Sequence, residues 1–417
     1  MEEIAAVGHA YDSVVTDPTC TEAGYTTYTC SKCGDSYTEE GEAALGHSYE
    51  SVTADATCTA AGYTTYTCSG CGDSYTEAGE AALGHEGYTY SFANNVHSFT
   101  CTLCGDVTTM TASDSKQFKI NSAAPVLGSD IVMLYKVTVP AGFEKPYMVF
   151  EMNGESYTVT DYTVEASTGR LVFEFPGVTS INMADNICST VYATVGGTQV
   201  SIEKAEYSLL EYCFNQLKKT TTGATLRTVF SDLLVYGSKA QVFSNYKTDA
   251  LVSDLAAAKL AALGDSALCL TPSTFTALGD DYNKQVISGD ADSRVNFNGV
   301  TLKLGSKVVV RYTVTCTDLD AFTYKINVAG QDYIFTGDDL ELYDASKNRY
   351  YLYFDNMNAN QLDEVITITA WEGDTQVSRT VEYSVYTYIW KNQDVADTSI
   401  RDLVRAIFNY GESAKKV

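Results

Sequence analysis

Histidine and cysteine recur at a fixed spacing near the N-terminus of this 417-residue chain. Segments 9–46 and 47–84 each span 38 residues and agree at thirty positions, which include one His and three Cys. Each segment therefore carries the pattern His-x10-Cys-x9-Cys-x2-Cys. Four nitrogen and sulfur ligands complete a tetrahedral structural zinc site, whereas a catalytic zinc keeps one position open. The pattern predicts structural zinc sites.

The grouping of these ligands depends on which histidine each repeat uses. If each repeat used the histidine that follows it, His9 would be left over. If each uses the histidine that precedes its cysteines, a shortened third repeat appears, in which His97 stands in place of the first cysteine. We therefore predict about three Zn²⁺ per chain, with the following ligand sets: His9, Cys20, Cys30 and Cys33; His47, Cys58, Cys68 and Cys71; His85, His97, Cys101 and Cys104.

Disulfide bonds are the alternative use of these cysteines, because small secreted domains are often cross-linked. Three cysteines per repeat leave one unpaired unless bonds cross between repeats, and the recurring histidine has no role in such a scheme. Zinc is favoured over iron because mixed His/Cys sets are typical of zinc, whereas a mononuclear iron site would use four cysteines. Metal binding is the preferred interpretation.

The elements that position these ligands are short. The run GYTTYTC alternates Tyr and Thr before each Cys-x-x-Cys turn and indicates a strand. Gly34 and Gly72 follow the second cysteine of the turn, where a left-handed residue is expected. A repeat of this length is too small to rely on a hydrophobic core. Each repeat is therefore predicted to be a zinc-ribbon-like β-hairpin.

A second duplication covers the rest of the chain. Segment 127–138 corresponds to 304–315, and 198–201 to 375–378, at an offset of 176 to 177. Each copy begins with alternating runs that indicate antiparallel hairpins, including a tight turn at MNGE, and ends in two helices. Matching apolar or small residues form one stripe along the last helix of each copy. The stripes are Leu226, Val229, Phe230, Leu233, Leu234, Gly237 and Ala240, and Ile400, Leu403, Val404, Ile407, Phe408, Gly411 and Ala414.

These patterns predict a mainly β fold with α. Zinc-ribbon-like repeats occupy 1–46, 47–84 and, in shortened form, 85–112. Two β-sandwich modules, each with a C-terminal helical pair, occupy 113–248 and 295–417. A helical linker at 249–294 joins them and contains an Ala-rich helix former at 250–263.

The charge of the chain excludes some partners. Its net charge of −26 argues against nucleic acid and against an anionic membrane surface. No run of about eighteen apolar residues is present, so no membrane insertion is expected within this chain. The first residues lack the basic and apolar regions of a signal peptide. Segment 3–9 resembles the end of a repeat that leads into its next histidine, so we expect the chain to begin inside a longer array.

Other chemistry-bearing residues have simpler explanations. Cys213 and Gln216 have the spacing of an internal thioester, but the equivalents in the second copy are Ile389 and Asn392, which indicates an apolar helix position. Acidic pairs such as 280–281, 290–292 and 338–339 lack the calcium-loop pattern and are interpreted as solvated charge. No catalytic residues are predicted, because all four histidines are assigned to metal.

Tyr351 and Tyr353 alternate along a strand-like run and would lie on one face. They could present an aromatic surface to a sugar, and one face of an ordinary strand explains them equally well.

The repeats, with their H-x-Y…TCTxxGYTTYTCSxCGxSYTE…GH pattern, resemble arrays in secreted and cell-surface proteins of gut Clostridia. The resemblance is strong over 1–84 and weaker to 106. The two modules, which end in LLVYGSKAQ and AIFNYGESAK, look like uncharacterised modules of the same proteins. The resemblance implies an extracellular location and a multidomain build, without an established activity.

We therefore predict a non-enzymatic extracellular or cell-surface protein. Its zinc-stabilised repeats would form a stalk, and its two β-sandwich modules would serve adhesion or recognition of a host or microbial surface ligand, with a glycan as one candidate. The alternative is a carbohydrate-binding accessory region of a secreted glycan-degrading enzyme. A third hypothesis is an enzyme with a carboxylate pair in one module.

Overall fold

The computed structural model describes residues 8–85, 87–128, 131–290 and 292–417, together with the backbone alone at Ala205. The array-like start at segment 3–9 lies mostly outside these residues. The fold is mainly β with α, as predicted. The chain divides into two compact units, which we describe separately: unit 1 is Met1–Thr111 and unit 2 is Ala112–Val417.

Unit 1 contains three antiparallel sheets, each of three strands in chain order. A third strand thus extends each predicted hairpin. The strands are β1 Tyr11–Thr16, β2 Tyr25–Cys30 and β3 Ser36–Glu40 in repeat 1; β4 Tyr49–Ala54, β5 Tyr63–Cys68 and β6 Ser74–Ala78 in repeat 2; and β7 Tyr88–Ala93, β8 Val96–Cys101 and β9 Val107–Thr111 in repeat 3.

Repeats 1 and 2 have almost no hydrophobic core. Along the described residues 8–84, the buried apolar side chains are three cysteines: Cys30, Cys58 and Cys68. Strand β1 is exposed along its whole length, and Val14 and Val15 are 65% and 68% exposed. Burial of apolar surface therefore contributes little to the stability of these two repeats.

The first part of unit 2 is a pair of four-stranded antiparallel sheets, with strand orders β10-β11-β15-β14 and β13-β12-β16-β17. The inward side chains alternate with outward ones, and Tyr135 and Phe150 meet in the core with ring centroids 4.9 Å apart. The strands are β10 Lys119–Leu127, β11 Ile131–Thr138, β12 Glu144–Met152, β13 Glu155–Val159, β14 Thr163–Val164, β15 Leu171–Val178, β16 Ile187–Val195 and β17 Thr198–Tyr207.

The second part repeats this arrangement, with strand orders β19-β20-β24-β23 and β18-β27-β25-β21-β22; β26 pairs with β25. Tyr312, the duplicate of Tyr135, is also fully buried. The strands are β18 Val286–Ser288, β19 Val295–Lys303, β20 Val309–Cys316, β21 Thr323–Val328, β22 Gln331–Phe335, β23 Glu341–Asp344, β24 Arg349–Phe354, β25 Ile366–Glu372, β26 Thr375–Gln376 and β27 Thr380–Tyr383.

Five α-helices complete unit 2 within the described residues, together with short 3₁₀ turns. Ser208 and Ser384, which are equivalent in the duplication, each accept a hydrogen bond at the N-terminus of the first helix of their copy. The helices are α1 Leu209–Leu217, α2 Ala224–Phe243, α3 Val252–Ala261, α4 Val385–Asn392 and α5 Thr398–Ala414. The 3₁₀ turns are Asp280–Tyr282, Leu319–Ala321, Gly337–Asp339, Ala345–Lys347 and Ala359–Gln361.

The predicted stripes on α2 and α5 face the interior, with one exception. Leu226 lies in the first turn of α2, where Ala224 and Thr225 are also exposed, and is itself 40% exposed. The two helices pack on each other, and the equivalent residues Tyr236 and Tyr410 stack with ring centroids 5.9 Å apart. Lys239 and Asp402 add an ion pair at 3.1 Å.

The segment predicted as a linker takes part in both copies. Helix α3 packs against α1 and α2 of the first copy. Strand β18 pairs with β27 of the second copy, and the backbone N–H of Leu278 donates to the Gln393 side chain at 2.7 Å. Linker and modules thus form a single packed body in unit 2.

The close packing of α2 against its neighbours can be tested at Gly237. A Cβ there would lie 2.8 Å from both Met183 Sδ and Val252 Cγ1. We expect Gly237→Val to lower the free energy of unfolding of unit 2 by about 1–3 kcal/mol through overpacking, measured by urea denaturation. The matched change Gly279→Val, at an exposed glycine with open space around it, should stay within about 0.5 kcal/mol of wild type. Equal effects at the two sites would contradict the packing described here.

Candidate metal centre

Histidine and cysteine side chains converge in three clusters of unit 1. In each cluster, the ligand atoms all lie within 4.8 Å of one another. The clusters are His9, Cys30 and Cys33 (cluster 1); Cys20, His47, Cys68 and Cys71 (cluster 2); and Cys58, His85, Cys101 and Cys104 (cluster 3).

The structure thus groups the ligands differently from the sequence prediction. Each Cys-x-x-Cys pair does meet the histidine that precedes it, as expected. The first cysteine of a repeat instead joins the cluster of the next repeat, so that Cys20 lies with His47 and Cys58 with His85. Cluster 1 has three ligands among the described residues, and His97 lies outside cluster 3.

The distances between ligand atoms match a tetrahedral metal site. Typical zinc bond lengths place two sulfur ligands roughly 3.8 Å apart, and sulfur and nitrogen roughly 3.6 Å apart. The sulfurs of Cys20 and Cys68 are 3.7 Å apart, and those of Cys58 and Cys101 are 3.9 Å apart. A disulfide needs about 2.05 Å. All twelve cysteines are free thiols in this structure, so the geometry favours the metal interpretation over disulfides.

The histidines present Nδ1 to the second cysteine of each turn. The distances are 3.2 Å for His9 and Cys33, 3.3 Å for His47 and Cys71, and 3.4 Å for His85 and Cys104. In the first two repeats, the H-x-Y tyrosine stacks on the imidazole, with ring centroids 5.5 Å apart for His9 and Tyr11 and 5.3 Å for His47 and Tyr49. The tyrosine therefore fixes the orientation of the ring, as supporting residues around metal ligands commonly do.

The Cys-x-x-Cys turns have the predicted left-handed glycine. Gly34, Gly72 and Gly105 have φ of 76°, 78° and 78°. Each donates its backbone N–H to the carbonyl of the first cysteine of the turn, at 2.9 to 3.0 Å. This turn aims further backbone amides at the sulfur of that cysteine.

The amides stabilise the thiolate form of the first cysteine in each turn. The backbone amide of Lys32 lowers the pKa of Cys30 to about 6, and the His9 side chain acts in the same direction. Burial raises the pKa of Cys68, but hydrogen bonds that begin with the Gly70 amide outweigh it and lower the value to about 6. Metal ligation requires the thiolate, so the backbone prepares these cysteines for a cation.

The crossing of two glycines explains why ligands pair across the repeat boundary. In repeat 1, the N–H of Gly24 donates to Glu42 at 2.8 Å and that of Gly41 to Gly24 at 2.8 Å. A Cβ on Gly41 would lie 2.9 Å from the Gly24 backbone, so only glycine allows this approach. Gly62 and Gly79 cross in the same way in repeat 2.

After the crossing, the tail of the repeat runs back along the loop that carries its first cysteine. We call this loop the TC loop; it comprises residues 17–24 in repeat 1 and 55–62 in repeat 2. The N–H of Leu45 donates to Thr19 O, and that of Gly46 to Cys20 O, both at 3.0 Å. The next residue is His47. Cys20 and His47 are therefore brought together by backbone pairing.

Sequence spacing missed this pairing because the predicted and the observed grouping both combine one histidine with three cysteines, so the residue types do not distinguish them. The available signal was the tail itself: the EAALG segments end directly before a histidine and match in both repeats. Both repeats contain the same EAALG tail and the same type of TC loop, which is the pattern expected of two segments in contact.

The structure places His97 apart from cluster 3, to which the sequence assigned it. It lies fully buried on β8, and the Tyr90 hydroxyl lies 2.9 Å from its Nδ1. The Phe92 ring packs on it with centroids 4.8 Å apart. The TC loop of the other repeats is replaced here by a two-residue turn at Asn94 and Asn95, both with positive φ. Repeat 3 therefore receives a cysteine but offers none.

The other candidates have structural partners. Cys213 is fully buried, and burial raises the pKa of its thiol to about 12, which suits an inert core residue better than a thioester. Asp292 binds Arg294 at 2.9 Å, and Asp339 caps a 3₁₀ turn at Thr336. Tyr351 lies on the outer face of β24, while Leu352 and Phe354 of that strand are buried.

Comparisons with known proteins add little. No protein-family model matches the chain, and no curated protein matches it either. Among solved structures, a Ca²⁺-stabilised ice-binding adhesin of an Antarctic bacterium aligns at 12% identity over 87% of this chain and 81% of its own, with a TM-score of 0.18. A 1.5-MDa bacterial ice-binding adhesin, studied for retention at the host cell surface, aligns at 11% identity over 91% and 98%, with a TM-score of 0.15. At these scores we draw no conclusion from either likeness.

None of the helices in the described ranges combines the length and the apolar character that crossing a bilayer demands.

Proposed function

We propose that this chain is a non-enzymatic extracellular or cell-surface protein in which structural Zn²⁺ holds the N-terminal repeats together and unit 2 recognises a surface ligand. The three Cys/His clusters carry the proposal. Their ligand sets, of thiolates with one imidazole, are those of structural zinc sites. The extracellular location rests on the resemblance of the repeat sequence to clostridial surface proteins.

The near absence of a core in repeats 1 and 2 supports a metal-dependent fold. Among the described residues 8–84, the buried apolar side chains are all cysteines. Two glycines in each of these repeats allow the backbone crossing that places a metal ligand. Structural zinc supplies about 10–16 kcal/mol of apparent binding free energy in small zinc-finger peptides. A metal would replace the core that these repeats lack.

Ligation across the repeat boundary gives each metal a second role. Clusters 2 and 3 each combine one cysteine from one repeat with three ligands from the next. A metal bound there would link two sheets through coordinate bonds, so that repeats 1 to 3 would behave as one semi-rigid stalk.

The stalk can be tested by ¹⁵N relaxation. We expect the zinc-loaded repeats to share one rotational correlation time, and the double variant Cys20→Ser, Cys58→Ser to show separate, shorter times for the repeats. Independent tumbling of the repeats in the zinc-loaded wild type would overturn the stalk function. A variant in which Cys269→Ser replaces an exposed cysteine outside the clusters is the control and should behave as wild type.

Each of the four histidines has an assigned environment that supports a binding rather than a catalytic role. Three face cysteine sulfurs, and His97 is buried against Tyr90 and Phe92. A histidine-assisted nucleophile is thus not part of the proposal.

A carbohydrate-binding role is the second candidate, and the outer face of β20, β24 and β23 favours it. Tyr343 and Tyr351 stack with ring centroids 4.1 Å apart, and the Arg311 guanidinium lies 4.4 Å from the Tyr351 ring. Strand pairing shows that Arg311, Tyr351 and Tyr353 correspond to Leu134, Val172 and Glu174 of the first copy. The fold therefore does not require this aromatic set, which is a property of the second copy alone.

The arrangement also narrows which rings would contact a sugar. Tyr351 is covered by Tyr343 and by Arg311, so the exposed Tyr343 and the half-buried Tyr353 would provide the contact. On a glycan array, we expect Tyr343→Ala and Tyr353→Ala each to weaken any binding by about tenfold or more. Tyr147→Ala, which breaks a stacked pair in the first copy, is the matched control. Unchanged binding in both test variants would exclude this surface as the glycan site.

A further inference from the structure

Cluster 1 differs from the other two in having an incomplete ligand set. His9, Cys30 and Cys33 converge in it, and no fourth His, Cys or carboxylate joins them among the described residues, which begin at Gly8. In clusters 2 and 3, the fourth ligand is the cysteine of a TC loop. The position that a TC loop would occupy at cluster 1 therefore lacks its cysteine in this part of the chain.

Neither TC-loop cysteine of the described residues is free to fill that position. Cys20 and Cys58, its two TC-loop cysteines, already belong to clusters 2 and 3. Repeat 3 has the two-residue turn at Asn94 and Asn95 in place of a TC loop. The TC loop of a second copy could complete cluster 1 only by leaving one of its own clusters, which argues against self-association through TC loops.

The surroundings of cluster 1 leave room for a docking loop. His9 and Cys33 are exposed. Lys32 stands where repeat 2 has Gly70, which lies against the Cys20 sulfur: a Cβ on Gly70 would be 3.0 Å from it. Repeat 3 has Leu103 at this position, and cluster 3 still receives Cys58. A side chain here is thus compatible with a docked TC loop.

We propose that the metal of cluster 1 takes as its fourth ligand the cysteine thiolate of a further T-C-T-x-x-G loop, that is, of another repeat of this type. The inference rests on the proposed zinc function. Three protein ligands leave a zinc ion with a position normally held by water, and a thiolate is a strong ligand for it. On docking, the cysteine loses its proton to solvent, sulfur bonds to the metal and the water leaves.

The array is then directional. Cluster 1 is an acceptor for a TC loop, whereas repeat 3 receives one and offers none. Each repeat would donate its TC-loop cysteine to the repeat that follows it. Repeat 3, which contains His97, has no TC loop and would donate none.

The test uses the full chain loaded with Co²⁺, whose visible absorption reports the number of thiolate ligands. The probe is the peptide of residues 17–24, DPTCTEAG, and the comparison ligands are the same peptide with serine for cysteine and β-mercaptoethanol. We expect the cysteine peptide to raise the thiolate-to-cobalt absorption with one peptide bound per chain, and more tightly than β-mercaptoethanol. The serine peptide should have no effect.

Two variants locate the response. Cys33→Ser should abolish it, because it removes a ligand of cluster 1. Cys20→Ser should double it to two peptides per chain, because it opens cluster 2 in the same way.

The outcomes separate this inference from the zinc proposal. If the wild type binds cobalt at three sites but does not respond to the peptide, while Cys20→Ser does respond, the inference is overturned and the zinc proposal stands. Equal affinity for peptide and β-mercaptoethanol would show a site open to any thiol and overturn the TC-loop assignment. Failure to bind cobalt at all would overturn the zinc proposal itself.

Discussion

Removal of zinc with a strong chelator is expected to unfold the repeats of unit 1 while unit 2 keeps its fold. Repeats 1 and 2 bury little besides cysteine, so most of their stability would come from metal, at about 10–16 kcal/mol per structural zinc. Unit 2 contains fully buried large side chains such as Tyr135, Phe150 and Tyr312 and has no Cys/His cluster among its described residues. It therefore serves as an internal control.

Hydrogen exchange read by mass spectrometry measures this prediction segment by segment. Peptides from β2 and β5 should lose their protection in chelator and recover it when zinc is added, whereas peptides from β11 and β20 should not change. A reducing agent without chelator should have no effect. If the reducing agent unfolds the repeats and the chelator does not, disulfides hold them and the metal interpretation is wrong.

The substitution Cys20→Ser is expected to weaken metal binding in repeat 2 and to spare repeat 1, although Cys20 belongs to repeat 1. It removes a direct ligand of the cluster that contains His47, Cys68 and Cys71. Changes in residues that merely support metal ligands reduce affinity by about 10 to 100-fold, so loss of the ligand itself should cost at least about 100-fold. Competition with a chromophoric chelator measures the metal affinity. Hydrogen exchange of peptides from β5, compared with peptides from β2, shows which repeat is affected.

The outcomes separate the two groupings of ligands. Loss of protection in β2 with β5 unchanged would support the grouping predicted from sequence, with Cys20 beside His9, and contradict the structure. Loss in β5 supports ligation across the repeat boundary. Cys269→Ser, at an exposed cysteine outside the clusters, controls for the change of cysteine to serine and should alter neither strand.

Local patterns predicted much of this protein. The identity of two 38-residue segments revealed the repeats, and glycine after each Cys-x-x-Cys turn predicted the left-handed residues at Gly34 and Gly72. Alternation and helical spacing predicted the mainly β fold and the helices at the end of each copy. The Asn153-Gly154 turn has the two positive φ angles that its sequence indicates. These features depend on neighbours in sequence, which is why the pattern suffices.

The partners of the first cysteines depend instead on contacts between distant segments. Spacing alone assigns Cys20 equally well to His9 or to His47. The decision comes from the close passage of Gly41 over Gly24, which directs the tail along the TC loop. The same limit applies to His97, whose position in the pattern suggested a ligand but whose strand turns it into the small core with Tyr90 and Phe92.

The packing of the two copies on each other could likewise not be predicted from the sequence pattern. The stripes on α2 and α5 identified buried faces but not that the faces meet each other. Stacking of the equivalent residues Tyr236 and Tyr410 shows that the duplication packs through matching positions. Leu226 completes the stripe by spacing but is exposed, together with Ala224 and Thr225 of the same first turn of α2.

The most direct test of the central claim is an NMR spectrum of the protein with ¹¹³Cd in place of zinc. Protons on the ligand side chains couple to the cadmium that they bind, so each ¹¹³Cd signal identifies its own ligands. The structure predicts that Cys20 shares one signal with His47, Cys68 and Cys71, and Cys58 shares another with His85, Cys101 and Cys104. A signal that joins Cys20 to Cys30 and Cys33, or a protein that binds no cadmium, would contradict it.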